Sequence, residues 1–275
     1  MRNNNEVVLD YGHGGSDSGA CANGLKEKVL NYNTGKACKR ELERHNVKVY
    51  ETRSNDEYVS LSKRCEIANN TNAKWFVSIH HNAGGGDRGE VIHSFLKGEG
   101  LILANNISES LIDIGQTIVK VYDKKHGNRD YYYVINNTRM KSNIVEVCFI
   151  DNKEDIKIAD TKEEQERNGI AIAHGILKTM GISIKGENQM KKYTNCILFS
   201  NEVDKTTAEV LAWGKTDYII KNIKDHVEWE GFNLFTIGGG TKEEFLKLKT
   251  GEKCTFLDGK NRFETLDLVL KHLGK

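Results

Sequence analysis

Val7-Val8-Leu9-Asp10-Tyr11-Gly12-His13-Gly14-Gly15-Ser16-Asp17-Ser18-Gly19-Ala20 is the stretch on which the reading of this chain turns. It opens with β-branched and apolar residues and then breaks into glycine around a single histidine. A buried strand ends this way when its C-terminal edge must present a side chain to a ligand. The glycines supply a tight turn and room for close approach. The pattern recurs in Ser78-Ile79-His80-His81-Asn82-Ala83, a second histidine at the end of an apolar run. Between the two lies Glu27, in Leu25-Lys26-Glu27-Lys28. Further on, Asn143-Ile144-Val145-Glu146-Val147 embeds a carboxylate among aliphatic residues.

Around these segments strands alternate with helices. Residues 26–45 read as a helix from their helix formers. Residues 47–53 alternate and read as a strand, 60–70 as a helix carrying Arg64, and 75–79 as a buried strand. Residues 90–96 read as another strand. Leu103, Ile107, Leu111, Ile114, Ile118 and Val121 are spaced by three and four, which predicts one long helix over 101–122. Residues 131–135 and 144–150 read as strands, and 165–180 as a closing helix that stops at Gly181. The alternation predicts an α/β fold, a mostly parallel or mixed sheet covered by helices on both faces. In such sheets a ligand binds beyond the strand C-termini, where His13 and His80 fall.

Composition excludes several classes. A formal net charge of +1 offers no concentrated basic face for nucleic acid. No run approaches the roughly 18 apolar residues of a membrane span, so membrane insertion is not expected. The first six residues hold no apolar core of a secretory signal, so the chain is expected to be made in the cytoplasm. The six cysteines at 21, 38, 65, 148, 196 and 254 show no Cys-x-x-Cys spacing and read as reduced, mostly buried thiols.

The ordered set of segments resembles the zinc-dependent N-acetylmuramoyl-L-alanine amidases of the amidase-3 family over about residues 6–180. Gly24-Leu25-Lys26-Glu27, Leu61-Ser62-Lys63-Arg64 with Ala68-Asn69-Asn70, and Val145-Glu146-Val147 with Phe149, Asn152 and Glu154-Asp155 carry it. The resemblance implies Zn2+ on His13, Glu27 and His80, a set of the kind catalytic zinc takes while keeping a position for water. It implies Glu146 as the group that takes the water proton and passes it to the leaving amine. The bond implied is the amide joining N-acetylmuramic acid to L-alanine in peptidoglycan. Met140-Lys141-Ser142 stands where the family often has Met-Pro, which alters a turn and not the chemistry.

Taken singly, each residue has a blander reading. A strand-end histidine is more often structural than a ligand, and Glu27 alone is an ordinary helix charge. Asn82 is read as orienting substrate or the ligands. His81 points to the face opposite His80 in an extended segment and is a bystander or a cleft residue. Arg64 is read as structural, as are histidines 45, 93, 126, 174, 226 and 272. Of Tyr131-Tyr132-Tyr133, at least one belongs to the core. Glycines 84–86 lack the ending of a phosphate loop and read as a mobile rim of the cleft.

Three parts are expected: a catalytic domain over 1–181, a polar linker over 182–192 and a small α/β cell-wall-binding domain over 193–275. Gly238-Gly239-Gly240 after its strand, and Gly259-Lys260-Asn261-Arg262-Phe263-Glu264-Thr265, resemble the clostridial type of wall-binding repeat. No tandem repeat is visible. The arrangement is similar to that of Clostridium phage endolysins, which implies lysis of Gram-positive walls after holin-dependent release. An autolysin or sporulation amidase of the same chemistry, a zinc peptidase of the stem peptide, and a non-enzymatic wall-binding protein are the alternatives. The expected partners are peptidoglycan and its associated wall polymer. Codons for Gly186-Glu187 can spell a ribosome-binding core ahead of Met190. Starting there would give a second product, Met190 to Lys275, able to associate with the full chain and add wall-binding valency.

Overall fold

The computed structural model describes residues 2–184, 193–213, 217–226, 231–248, 252 and 254–274. The chain divides into two compact units, Met1–Lys185 and Gly186–Lys275. Most of the expected linker, residues 185–192 with the proposed start at Met190, lies outside the described residues.

In chain order the first unit runs β1 (Asn3–Tyr11), a short hairpin β2 (Cys21–Ala22) and β3 (Leu25–Lys26), α1 (Glu27–Arg44), β4 (Lys48–Glu51), α2 (Leu61–Asn69), β5 (Ala73–Asn82) and β6 (Gly89–His93). It continues through α3 (Glu99–Asp113), β7 (Val119–Asp123), a second hairpin β8 (Lys125–His126) and β9 (Arg129–Asp130), α4 (Tyr133–Asn137), β10 (Lys141–Phe149) and α5 (Lys162–Met180). Six strands form one sheet in the order β4-β1-β5-β10-β6-β7. The first four are parallel to one another, and β6 turns antiparallel against β10 with β7 following it.

Central strands buried on both faces read as unbroken apolar runs. Val7, Val8, Leu9 and Tyr11 of β1 and Trp75, Phe76, Val77 and Ile79 of β5 are all closed to solvent. On one face α5 packs against both α1 and α3. On the other, Val8, Phe76, Ile92 and Ile144 lie under Cys65 and Ala68 of α2 and Val134 and Ile135 of α4. The expected sheet with helices on both faces is therefore observed. Thr161 caps α5 by accepting the amide of Glu164, and Gly181 closes it in the left-handed conformation at φ 72°. No helix among the described residues is long and apolar enough to cross a membrane. None of the six cysteines is in a disulfide; 38, 65, 148 and 196 are buried and Cys21 is exposed.

Two elements differ from the sequence reading. The helix expected over 101–122 stops at Asp113, because Gly115 adopts φ 114° and β-branched residues follow. Residues 119–123 instead form edge strand β7, and Ile118 is left 60% exposed. The strand expected over 131–135 is the start of α4. Tyr132 packs on the core with Val134 and Ile135, while Tyr131 and Tyr133 stay exposed. Burying residues at 132, 134 and 135 demands a turn of helix, not an alternating strand.

The second unit runs β11 (Tyr193–Phe199), α6 (Glu202–Ala212), β12 (Tyr218–Asn222), β13 (Gly231–Ile237), α7 (Gly239–Leu248), β14 (Cys254–Leu257) and α8 (Arg262–His272). Its four strands are all parallel, in the order β12-β11-β13-β14. Ile197, Phe235, Ile237 and Leu257 pack beneath Ala208 and Leu211 of α6 and Val269 of α8. Cys196, Leu198 and Leu234 on the other face pack with Phe245 of α7. Strand β14 carries no sequence signal strong enough to be read. The β-α-β unit occurs twice in succession although the sequence shows no repeat. Within Gly259–Thr265, Asn261 accepts the amides of Phe263 and Glu264, and Glu264 accepts the amide of Lys260. That phrase is thus the capped start of α8.

Candidate metal centre and active site

Parallel strands point their C-termini the same way, so β1, β5 and β10 deliver their terminal side chains to one edge. Beyond β1 the backbone turns at His13, whose φ of 60° is rare for a side chain larger than glycine. Arg64 holds this turn: it pairs with Asp10 at 2.6 Å and donates to the carbonyls of Tyr11 and His13. Its expected structural role is what the contacts describe. A Cβ on Gly12 would lie 2.1 Å from the His80 ring, so glycine there is what lets the ring of His80 lie against the turn.

Glu27, the first residue of α1, meets both histidines. Its Oε2 lies 3.1 Å from His13 Nε2, and its Oε1 lies 2.8 Å from His80 Nδ1. One ligand atom from each of the three residues falls within 4.8 Å of the others, in the one His/Cys/Asp/Glu group of this kind among the described residues. Burial works to raise the Glu27 carboxyl, but the hydrogen bonds from the two imidazoles outweigh it and hold it far below the usual range. Burial likewise works to lower His80, yet its bond to Glu27 and the nearby Glu146 hold it up at about 9. A carboxylate flanked by two imidazole nitrogens at this spacing is a donor set that stabilises a cation.

Neighbours fix the donors. His13 Nδ1 lies 2.8 Å from Asp17, a contact that fixes the ring with Nε2 facing Glu27. Asn31, one turn along α1, donates to Glu27 Oε1 at 3.2 Å and to the Gly12 carbonyl at 3.1 Å. Its side-chain oxygen accepts from His81 Nδ1 at 2.8 Å. His81 is buried behind the sheet and pushed down to about 4 by that burial. Of its two expected roles, the cleft role is removed: it braces Asn31.

Glu146 stands in register with His80 across β10 and β5. Its Oε2 is shut off from solvent with no hydrogen-bond partner, and burial lifts its carboxyl to about 7. A carboxyl in that condition is suited to taking and returning a proton near neutrality. Asn82, one pleat past His80, is not brought to the three donors; its amide reaches Glu90 at 3.4 Å. The glycine rim is anchored: the amides of Gly84 and Gly85 hold Asp151, and the Gly86 carbonyl accepts from Asn152.

The sequence profile described as N-acetylmuramoyl-L-alanine amidase, Amidase_3, matches residues 7–178. The chain belongs to this family. Its reaction is hydrolysis of the amide between N-acetylmuramic acid and L-alanine in peptidoglycan. The amidase CwlM of Bacillus licheniformis is 34% identical over 185 residues, covering 65% of this chain and 70% of CwlM. The endolysin of Bacillus phage SPP1 is 34% identical over 191 residues, 68% of this chain and 70% of that protein. Among solved structures, Cwp6 from Clostridium difficile superposes with a TM-score of 0.61 at 32% identity. It covers 63% of this chain and 29% of Cwp6. In this amidase, sequence reasoning missed Asp17, Asn31 and Glu90. Asn31 carried a signal, four residues after Glu27 on one helix face. Glu90 carried the one used for Glu146, a carboxylate beside aliphatic residues in a strand.

Proposed function

We propose that this amidase is a zinc-dependent endolysin. His13, Glu27 and His80 hold the metal, and Glu146 is the proton carrier. The observation that supports this best is the convergence of the three donors within 4.8 Å beside a carboxyl whose Oε2 is buried and unpartnered. The donor chemistry fits the group: two neutral-capable imidazoles and a carboxylate are a usual catalytic zinc set. When bound, zinc supplies Lewis-acid chemistry, polarising a carbonyl and lowering the pKa of water toward about 7. Asp17 and Asn31 orient the donors. Glu146 removes a proton from the attacking water and delivers it to the departing amine of L-alanine. Asn82, through Glu90, borders this site as a candidate substrate contact.

The second unit is proposed to bind the wall and its associated polymer. It is compact in its own right and lies outside the family match. Residues 1–181 then act as the catalytic domain and 193–275 as the targeting domain, with 182–192 joining them. Self-association through the second unit, with a product starting at Met190, would add valency. The similarity to the endolysin of a Bacillus phage and to Cwp6 from Clostridium difficile supports action on Gram-positive walls, and clostridial-type walls reached by holin-dependent release are part of the same proposal. The test is digestion of purified walls. New amino groups of L-alanine without new reducing ends are expected, lost with chelator and restored by zinc. The isolated residues 193–275 should sediment with walls. Reducing ends, or activity indifferent to chelator, would refute the enzymatic assignment.

A further inference from the structure

The active-site row continues past Glu146. Glu146 is in register with His80 on one side and with Glu90 of β6 on the other. Residues in register share a face, at about 4.8 Å per strand. Glu90 is buried and its carboxylate is fully engaged. Arg88 Nε donates to Oε1 at 2.7 Å, and Oε2 accepts from the Tyr122 hydroxyl at 2.9 Å and the Asn82 amide at 3.4 Å. Arg88 is itself fixed three ways. Glu90 takes both Nε and Nη2, the guanidinium lies 5.0 Å from the centre of the Phe149 ring, and its backbone amide donates to Asp155 at 3.0 Å. Phe149 pairs with Asn82 at the top of β10 and β5, so this guanidinium stands at the rim about one strand outboard of Glu146. Its Nη1 has no partner among the described residues, and the side chain is 37% exposed.

We propose that Arg88 binds the carboxylate of the residue that follows L-alanine in the stem peptide, with Glu90 and Phe149 as its positioning residues. The inference rests on Glu146 as the proton carrier to the departing amine, which sets the peptide side of the substrate past Glu146, toward β6. Consecutive α-carbons lie about 3.8 Å apart, so the next carboxylate falls roughly one strand spacing beyond the alanine. A preformed guanidinium there meets it as a charge-assisted pair. When the second stem residue is acidic and linked through its side chain, its α-carboxyl group is either free or amidated. That gives a matched pair of probes.

The experiment uses the full chain loaded with zinc and two soluble muropeptides that differ only in that α-carboxylate or α-carboxamide. The parent enzyme should favour the acid by about tenfold or more in kcat/KM, expressed in KM, as for one charge-assisted hydrogen bond. Arg88→Gln should erase the preference, while Arg88→Lys should keep part of it. A parent with no preference overturns the proposal, and that measurement needs no variant to fold. Arg88→Gln that keeps the ratio, or that slows both probes equally, overturns it too. If neither probe releases L-alanine amino groups, the proton-carrier assignment fails first and this inference with it.

Discussion

Asn31→Ala is the perturbation that most directly tests how the proposed metal centre is held. Asn31 is closed to solvent and makes three bonds: to Glu27 Oε1, to the Gly12 carbonyl and from His81 Nδ1. Since both groups near Nδ2 can only accept, its amide orientation is fixed, and His81 must carry its proton on Nδ1. Truncation leaves His81 with neither ring nitrogen bonded, because Nε2 already has no partner. A buried donor stranded in this way costs about 1–3 kcal/mol of stability. The Gly12 carbonyl keeps Arg53, and Glu27 keeps the amide of Ala20 and both histidines, so the fold survives. What is lost is the restraint on Glu27. Removing such a support typically weakens metal binding about 10- to 100-fold. Competition against a chromophoric chelator measures that affinity, and urea unfolding measures stability. At saturating zinc kcat should fall by less than about tenfold. Unchanged zinc affinity, or a collapse of kcat at saturating zinc, would refute the positioning role.

Three further outcomes follow from the same structure. Glu146→Gln should retain zinc and lose about 10²- to 10⁴-fold in kcat, and a variant with full activity would end its assignment as proton carrier. Burial works to raise Glu41, but hydrogen bonds from His174 and Arg44 prevail and hold it at about 2. Its folded value is therefore below the unfolded one. The stability it adds is complete above about pH 5 and fades, by on the order of 3 kcal/mol, as the pH falls toward 2. Unfolding of Glu41→Gln against the parent should show a gap that narrows in acid, and a gap independent of pH would contradict this. On Gly169 an added Cβ would lie 2.3 Å from the Thr34 carbonyl in the α1–α5 contact, so Gly169→Ala should destabilise by about 1–3 kcal/mol. Gly100→Ala meets nothing within 4 Å and should be close to neutral by the same melting assay.

The central strands were legible because a doubly covered parallel sheet writes itself as unbroken apolar runs, and β1, β5 and β10 do so. The edge of the sheet was not. Over 101–122 the apolar residues keep helical spacing through Ile118 and Val121, and only Gly115 interrupts them. Spacing cannot distinguish the last turns of a helix from an edge strand whose outer face is open. There the backbone freedom of one glycine and the β-branched residues behind it decided the outcome. At 131–135 the aromatic run suggested a strand, but the core required three side chains inward within four positions, and one turn of helix supplies that.

Legibility in the site followed how many functions each residue's type allows. Histidines at strand ends are few, so His13 and His80 stood out; a lysine-flanked glutamate did not, and Glu27 came only through the family resemblance. Asn31 and Asp17 are polar residues of ordinary kinds, and nothing in the linear chain says that their partners are the donors themselves. Glu90 is the instructive case. Beside Val91 and Ile92 it met the criterion applied to Glu146, a charge too costly to bury without a partner. Structure separates the two by what surrounds them. Glu90 has Arg88, Tyr122 and Asn82 on its oxygens. Glu146, one strand away, has a bare Oε2 and lies within reach of the like charges of Glu27 and Glu90. Two carboxyls read alike in sequence thus differ in the one property on which the proposed proton carrier depends, an oxygen left without a partner.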